Sequence, residues 1–302
     1  MNNELEPGEF QFGFLDRQAY FFNTYKPLLL SLPELQEAFD LVIANVGGQL
    51  DNLSKRLIFY LGRMGWEDFN EIILMCANGF HSGGHKVLRP MFEHVIYSGH
   101  FRLHPEDAER FWDFYLVDRY KLMKQIKDKY PNAFPDEKLQ EAKAAYDSLG
   151  DKFKVPVCEE CRPIICAQCN TENECQRCKK TRDNFTWTRK DIVSMAREQE
   201  FDIILITAMY YFAMQETHPK VISITNRLES AEDGAIGFTD EPNWGKIREI
   251  IVSAHYLILR VLENYANTLN IKGLEERLEQ VVNRHKEIWE QIRASVSGQA
   301  AT

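Results

Sequence analysis

Three Cys-x-x-Cys pairs stand in a row: Cys158/Cys161, Cys166/Cys169 and Cys175/Cys178. A pair at this spacing folds as a tight turn whose thiolates reach one ion. Two such pairs close a tetrahedral site with no open position for water. That is structural chemistry, and zinc is the ion it suits. The outer pairs leave thirteen residues between them, a comfortable ribbon-like reach that makes the middle pair spare, whereas adjacent pairs lie only four or five residues apart. Six cysteines without a local histidine cannot supply eight ligands for two separate ions. Thiolates alone do not name the metal, so a redox or iron–sulfur role stays open beside the structural staple.

A second constellation needs no metal. His81, His85, Arg89, Glu93 and Tyr97 recur every four residues and therefore share one side of a helix. Leu88, Met91, Phe92, Val95 and Ile96 cover much of the remaining girth, with His94 and His100 nearby. A helix this apolar is buried, and its charges need partners, which Arg89 and Glu93 can provide for each other. The group either braces the interior or lines a pocket where Arg89 handles an anion and a histidine moves protons. His81 and His85 have the spacing of a helical metal pair, but no third ligand is identifiable. Downstream, Tyr211, Gln215, Glu216, Thr217 and His218 precede Pro219, which biases His218 toward an extended backbone at a helix end. Arg177, Lys179, Lys180, Arg182, Arg189 and Lys190, interleaved with Phe185 and Trp187, suit either a nucleic-acid strand or a solvated loop with a packed Trp.

These residues are positioned by helices. Residues 1–33, broken by Pro7, Gly8, Gly13, Pro27 and Pro33, read as an irregular arm packing Phe10, Phe12, Phe14, Phe21 and Phe22 onto the body. Leu35, Phe39, Val42, Val46, Leu50, Leu53, Leu57 and Leu61 predict a helix over 33–63 that Gly62 and Gly65 close. A second helix is expected over 68–103 with a weak point at Gly83-Gly84. A third follows Pro105, with Phe111, Phe114, Tyr115, Leu122 and Ile126 inward, and a shorter one spans 136–149. Beyond the cysteines, helices are predicted over 189–216, 244–269 and 274–294, with a loop over 229–243 and a frayed tail. No strand pattern appears outside the metal segment. The architecture expected is an all-α multi-helix bundle, 34–150 and 185–295, with a zinc-knuckle segment inserted at 151–184 and a flexible tail at 296–302.

With 44% apolar and 27% charged residues, the chain is ordinary globular material. A net charge of −9 excludes bulk electrostatic coating of nucleic acid and leaves only a local patch. The N-terminus lacks the basic start and apolar run of a secretory signal. The longest apolar stretch, 203–214, is shorter than the roughly 20 residues of a membrane span. A cytoplasmic protein is expected, where clustered thiols serve as ligands rather than disulfides.

Arg89-Pro-Met-Phe-Glu93, followed by Tyr211 and His218, resembles a family of uncharacterised prokaryotic helical proteins marked by an Arg-x-x-x-Glu helix and a Tyr…Ser…His-Pro helix end. Here Gln215 or Thr217 stands where Ser is usual, and the cysteine segment looks like an insertion. Arg89-x-x-x-x-His94 is also similar to the Arg-x4-6-His signature of HEPN ribonucleases of defence and toxin systems. That likeness implies metal-independent RNA cleavage by a homodimer. His94 or His218 would take the 2′-hydroxyl proton, Arg89 would stabilise phosphate charge, and Glu93 would hold Arg89. Pro90 marks either a kink at the site or a helix start. The alternative is a non-catalytic sensor or scaffold whose zinc knuckle docks a protein or nucleic acid. A third reading is a redox switch at the spare cysteine pair.

Overall fold

The structure, a computed structural model, describes residues 14–157, 180–217, 221–225, 227–230, 236–239 and 241–299. The chain is mostly helical and falls into two compact units. Unit 1 comprises Met1–Leu103 with Ile192–Thr302, and unit 2 comprises His104–Asp191. No described helix is long and apolar enough to cross a membrane.

Unit 1 opens with α1 (Leu15–Thr24) and α2 (Lys26–Asn45), so the expected irregular arm is helical from Leu15. Pro27 falls in the first turn, where no backbone donor is lost, and α2 continues through Pro33. Phe21 is buried against Tyr25 at 4.7 Å, whereas Phe14 and Phe22 are exposed. Phe10 and Phe12 lie outside the described residues.

The helix predicted over 33–63 is two helices. The chain breaks after Val46, with Gly48 at φ +82°, and α3 (Leu53–Ala77) restarts under an Asn52 cap that accepts from the Lys55 amide at 2.9 Å. Gly62 and Gly65 do not end a helix. They lie inside α3, where a side chain at Gly62 would collide with Tyr265. Close helix approach, not chain reversal, is their physical use. The next break comes at Gly79 (φ +79°) rather than at Gly83-Gly84, which sit in the first turn of α4 (His81–Leu103).

The core of unit 1 joins α3, α4 and α11 (Trp244–Ala266), with α12 (Leu274–Gln299) over α2 and α11. On α11, Ile247, Ile251, Ala254, Ile258, Val261 and Tyr265 recur at helical spacing and are all fully buried. Directions follow from polar contacts. Ser54 at the start of α3 donates to the Phe101 carbonyl near the end of α4 (2.7 Å), so these two run antiparallel. Arg102 of α4 donates to Asn264 of α11 (3.2 Å) near both C-termini, so those run parallel.

The single helix expected over 189–216 is broken. The short α7 (Ile192–Glu198) ends at Glu200, in the left-handed region at φ +64°. Gln199 then seats its amide on the Ile96 carbonyl at 2.8 Å, against Gly99, where a larger residue would clash. The chain resumes as α8 (Ile203–Ile206), capped by Asp202, then a π-helical turn (Thr207–Phe212) and α9 (Ala213–Thr217). α10 (Val221–Thr225) follows, and the expected loop, for which no strand was predicted, contains a short hairpin, β3 (Leu228–Ser230) with β4 (Ile236–Phe238).

Unit 2 holds α5 (Asp107–Lys129) packed on α6 (Asp136–Asp147), followed by β1 (Lys154–Val157) and β2 (Lys180–Asp183). Phe114 and Val117 are buried on α5, but Tyr115 and Leu122, expected inward, are exposed. Trp187 is buried and meets Phe111 edge-on at 5.5 Å, while Phe185 is exposed. The two strands pair antiparallel with Val157 opposite Lys180, so the chain leaves toward the cysteines and returns from them at one place. A polar cluster pins this base: Lys154 reaches Asp183 at 2.6 Å, and Tyr146 donates to the same carboxylate at 2.7 Å. The cysteines, Cys158 to Cys178, lie outside the described residues.

Candidate active site on α4

α4 continues straight through Pro90, which excludes a helix start there and places Arg89 in mid-helix. Arg89 and Glu93, one turn apart, are both half-buried and bond through Nε and Oε1 at 3.3 Å. The partner from outside the helix is Tyr210, not Tyr211. The Arg89 guanidinium lies 5.4 Å from the Tyr210 ring centre and also hydrogen-bonds that side chain. Burial, then the Glu93 carboxylate, pushes the Tyr210 phenol up, and Arg89 pulls it down. Tyr211, one step further round, is exposed. The extra residue of a π turn rotates the side chains that follow it, and such turns recur at functional sites. No sequence periodicity signals that shift.

His94 faces the other way. Five residues beyond Arg89, it lies about 7.5 Å along the axis and about 140° around it. Its Nδ1 is 2.7 Å from Asp68 Oδ2 on α3, and both side chains are largely but not wholly buried. A carboxylate on Nδ1 holds the ring in one orientation. Asp68 is thus a partner of a candidate site residue that the sequence reading missed. It lies 26 positions upstream, on another helix. The antiparallel α3–α4 pairing alone brings it to His94.

Of the residues singled out beforehand, Arg89 and Glu93 come together, His94 joins an unforeseen carboxylate, Tyr211 stands aside, and His218 lies outside the described residues. Nearer the start of α4, His85 is buried and His81 partly so. Both are pulled down to about 4 by burial first and then by Lys246, with Arg227 adding to the effect on His81 and His81 to that on His85. Both therefore stand neutral.

One central helix, α4, thus carries an Arg–Glu pair along its own length and pairs His94 with Asp68 of α3. Residues 57–236, more than half of the chain, match the sequence profile of a family of unknown function (DUF5677), and the chain belongs to that family. The matched span contains Asp68, Arg89, Glu93, His94, Tyr210 and all six clustered cysteines. No curated protein and no solved structure matches the chain.

Proposed function

We propose that this protein is a metal-independent ribonuclease of HEPN type, acting as a homodimer in a prokaryotic defence or toxin system. The observation that carries the reading is that His94, on the helix that also presents Arg89, is paired with Asp68 of α3 at 2.7 Å. His94 Nε2 takes the proton from a ribose 2′-hydroxyl. The freed oxygen attacks the adjacent phosphorus, and the bond to the 5′-oxygen breaks as that oxygen takes a proton from the imidazolium or water. A 2′,3′-cyclic phosphate and a 5′-hydroxyl end result. Arg89, steadied by Glu93 and Tyr210, stabilises the charge that builds on the phosphate. Because the two side chains diverge around α4, one strand is served by Arg89 and His94 contributed across a dimer.

In this reading Cys158, Cys161, Cys175 and Cys178 hold one structural zinc, with Cys166 and Cys169 as the spare pair. The ladder between Val157 and Lys180 supports it, because it closes the base of a cysteine segment too small to own a core. The test is cleavage of a labelled RNA by chelator-treated protein whose helicity is intact. Cleavage must persist there and vanish in Arg89→Ala and His94→Ala. Undiminished cleavage in His94→Ala would sink the proposal.

One observation favours the non-catalytic docking reading. Trp112, Tyr115 and Leu122 lie on one face of α5 and are 57%, 63% and 58% exposed. That face, in the unit that carries the cysteines, suits a protein partner. A pull-down with Trp112→Ser and Tyr115→Ser variants tests it; capture that is unaffected by both changes argues against docking there.

A further inference from the structure

α4 and α11 lie side by side and point the same way. At one end the Asn243 amide, just before α11, approaches His81 Nδ1 at 3.4 Å, and at the other Arg102 bonds Asn264. Parallel neighbours bring like dipole ends together, so the positive ends of two 23-residue helices adjoin, and neither carries an acidic residue in its first turn. The side chains there add charge of the same sign. Lys246 stands in the first turn of α11, and the Arg227 guanidinium bonds Ser82 Oγ in the first turn of α4. The buried carboxylate of Glu216, on α9, lies 3.9 Å from Lys246, and the exposed Glu241 is turned out to Arg17 at 3.6 Å.

Backbone donors are open at the same place. The His81 and Gly84 amides bond the Gly79 and Phe80 carbonyls, whereas those of Ser82 and Gly83 have no backbone acceptor among the described residues. One turn further in, His85 is only 5% exposed, and its Nδ1 has no hydrogen-bond partner among them. Among the described residues, two cations, two adjoining helix starts and a buried imidazole without a hydrogen-bond partner stand against the one carboxylate of Glu216.

We propose that the shared N-terminal end of α4 and α11 binds a phosphate group, with Lys246 and Arg227 supplying charge and the Ser82 and Gly83 amides and His85 supplying hydrogen bonds. A bound dianion offsets the adjoining dipoles and counters the Lys246 and His81 charges that, after burial, oppose a proton on His85. The site stands apart from the proposed nuclease site: none of Arg89, His94 or Asp68 takes part, so either can fail alone.

The test titrates the full chain with inorganic phosphate and, separately, adenosine 5′-monophosphate, by calorimetry. Saturable binding is expected, weakened at least about tenfold in Lys246→Gln and in Arg227→Gln. Tighter binding of the nucleotide marks a nucleotide phosphate as the source, and equal binding marks the free ion. Histidine imidazole NMR on the unaltered protein gives a readout independent of how the variants fold: phosphate must move the His85 signal. No saturable binding in either arm, unchanged affinity in both variants, or an unmoved His85 signal overturns the site. So does saturable zinc binding lost in His85→Phe with none for phosphate, which would make it a cation site.

Discussion

Mild acid strains the contact between α11 and α12. His255 on α11 is 3% exposed, and its Nδ1 accepts a hydrogen bond from Trp289 Nε1 at 3.3 Å. The His285 ring stands edge-on to it at 4.4 Å. A proton on Nδ1 would set two donors against each other in a dry interior, beside a second imidazole. Burial first and His285 next pull His255 down to about 3, and burial also lowers His285. An unfolded histidine titrates near 6.5. Between these values the unfolded chain holds a proton that the native state does not, so stability is complete above about pH 6.5 and declines as pH falls toward 3. The slope is at most about 1.4 kcal/mol per pH unit for one group, so His255 alone costs about 2 kcal/mol between about pH 6.5 and about pH 4.5. Urea unfolding followed by tryptophan fluorescence at about pH 7, 6 and 5 measures it. His255→Gln keeps an acceptor for Trp289 but cannot titrate. Whatever its stability at neutral pH, its pH slope should be shallower by about 1 kcal/mol per unit. Equal slopes in the two proteins would refute the reasoning.

Gly62→Ala should lower stability by about 1–3 kcal/mol in urea unfolding, because the new methyl meets the Tyr265 side chain, whose hydroxyl is tied to the Phe59 carbonyl at 2.8 Å. Gly65→Ala meets Val261 at only 3.4 Å and should be neutral or stabilising by up to about 1 kcal/mol. On the nuclease reading, Asp68→Asn should slow RNA cleavage by about a hundredfold or more at unchanged helicity, since His94 loses the group that orients it. On the one-zinc reading, thiol counting should find four cysteines made reactive when metal is removed, with the spare pair reactive beforehand. Cys76, fully buried with its thiol pushed well up by burial, should react only on unfolding.

Helical class, the approximate spans of α5, α6, α11 and α12 and the Arg89–Glu93 pair were legible because each depends on spacing within one segment. Apolar residues at intervals of three and four mark a buried face wherever it packs, and an i,i+4 ion pair closes within its own helix. The Cys-x-x-Cys pairs are local in the same sense. Helix ends were misread where one residue type serves two purposes. Glycine marks a chain reversal at Gly48 and Gly79 but a close helix contact at Gly62. Proline was taken as a breaker at positions 27 and 33, where a first turn and a continuing helix accept it.

The sequence by itself determined the helical class and much of the buried faces, and it displays the row of Cys-x-x-Cys pairs, since these follow from short-range periodicity and spacing. Only the tertiary structure decided which groups meet. The antiparallel run of α3 against α4 carries Asp68 to His94, the π turn presents Tyr210 instead of Tyr211 to Arg89, and the parallel run of α4 and α11 gathers positive helix ends beside His85. Each is a relation between segments far apart along the chain, set by the packing of whole faces, and no local spacing encodes it.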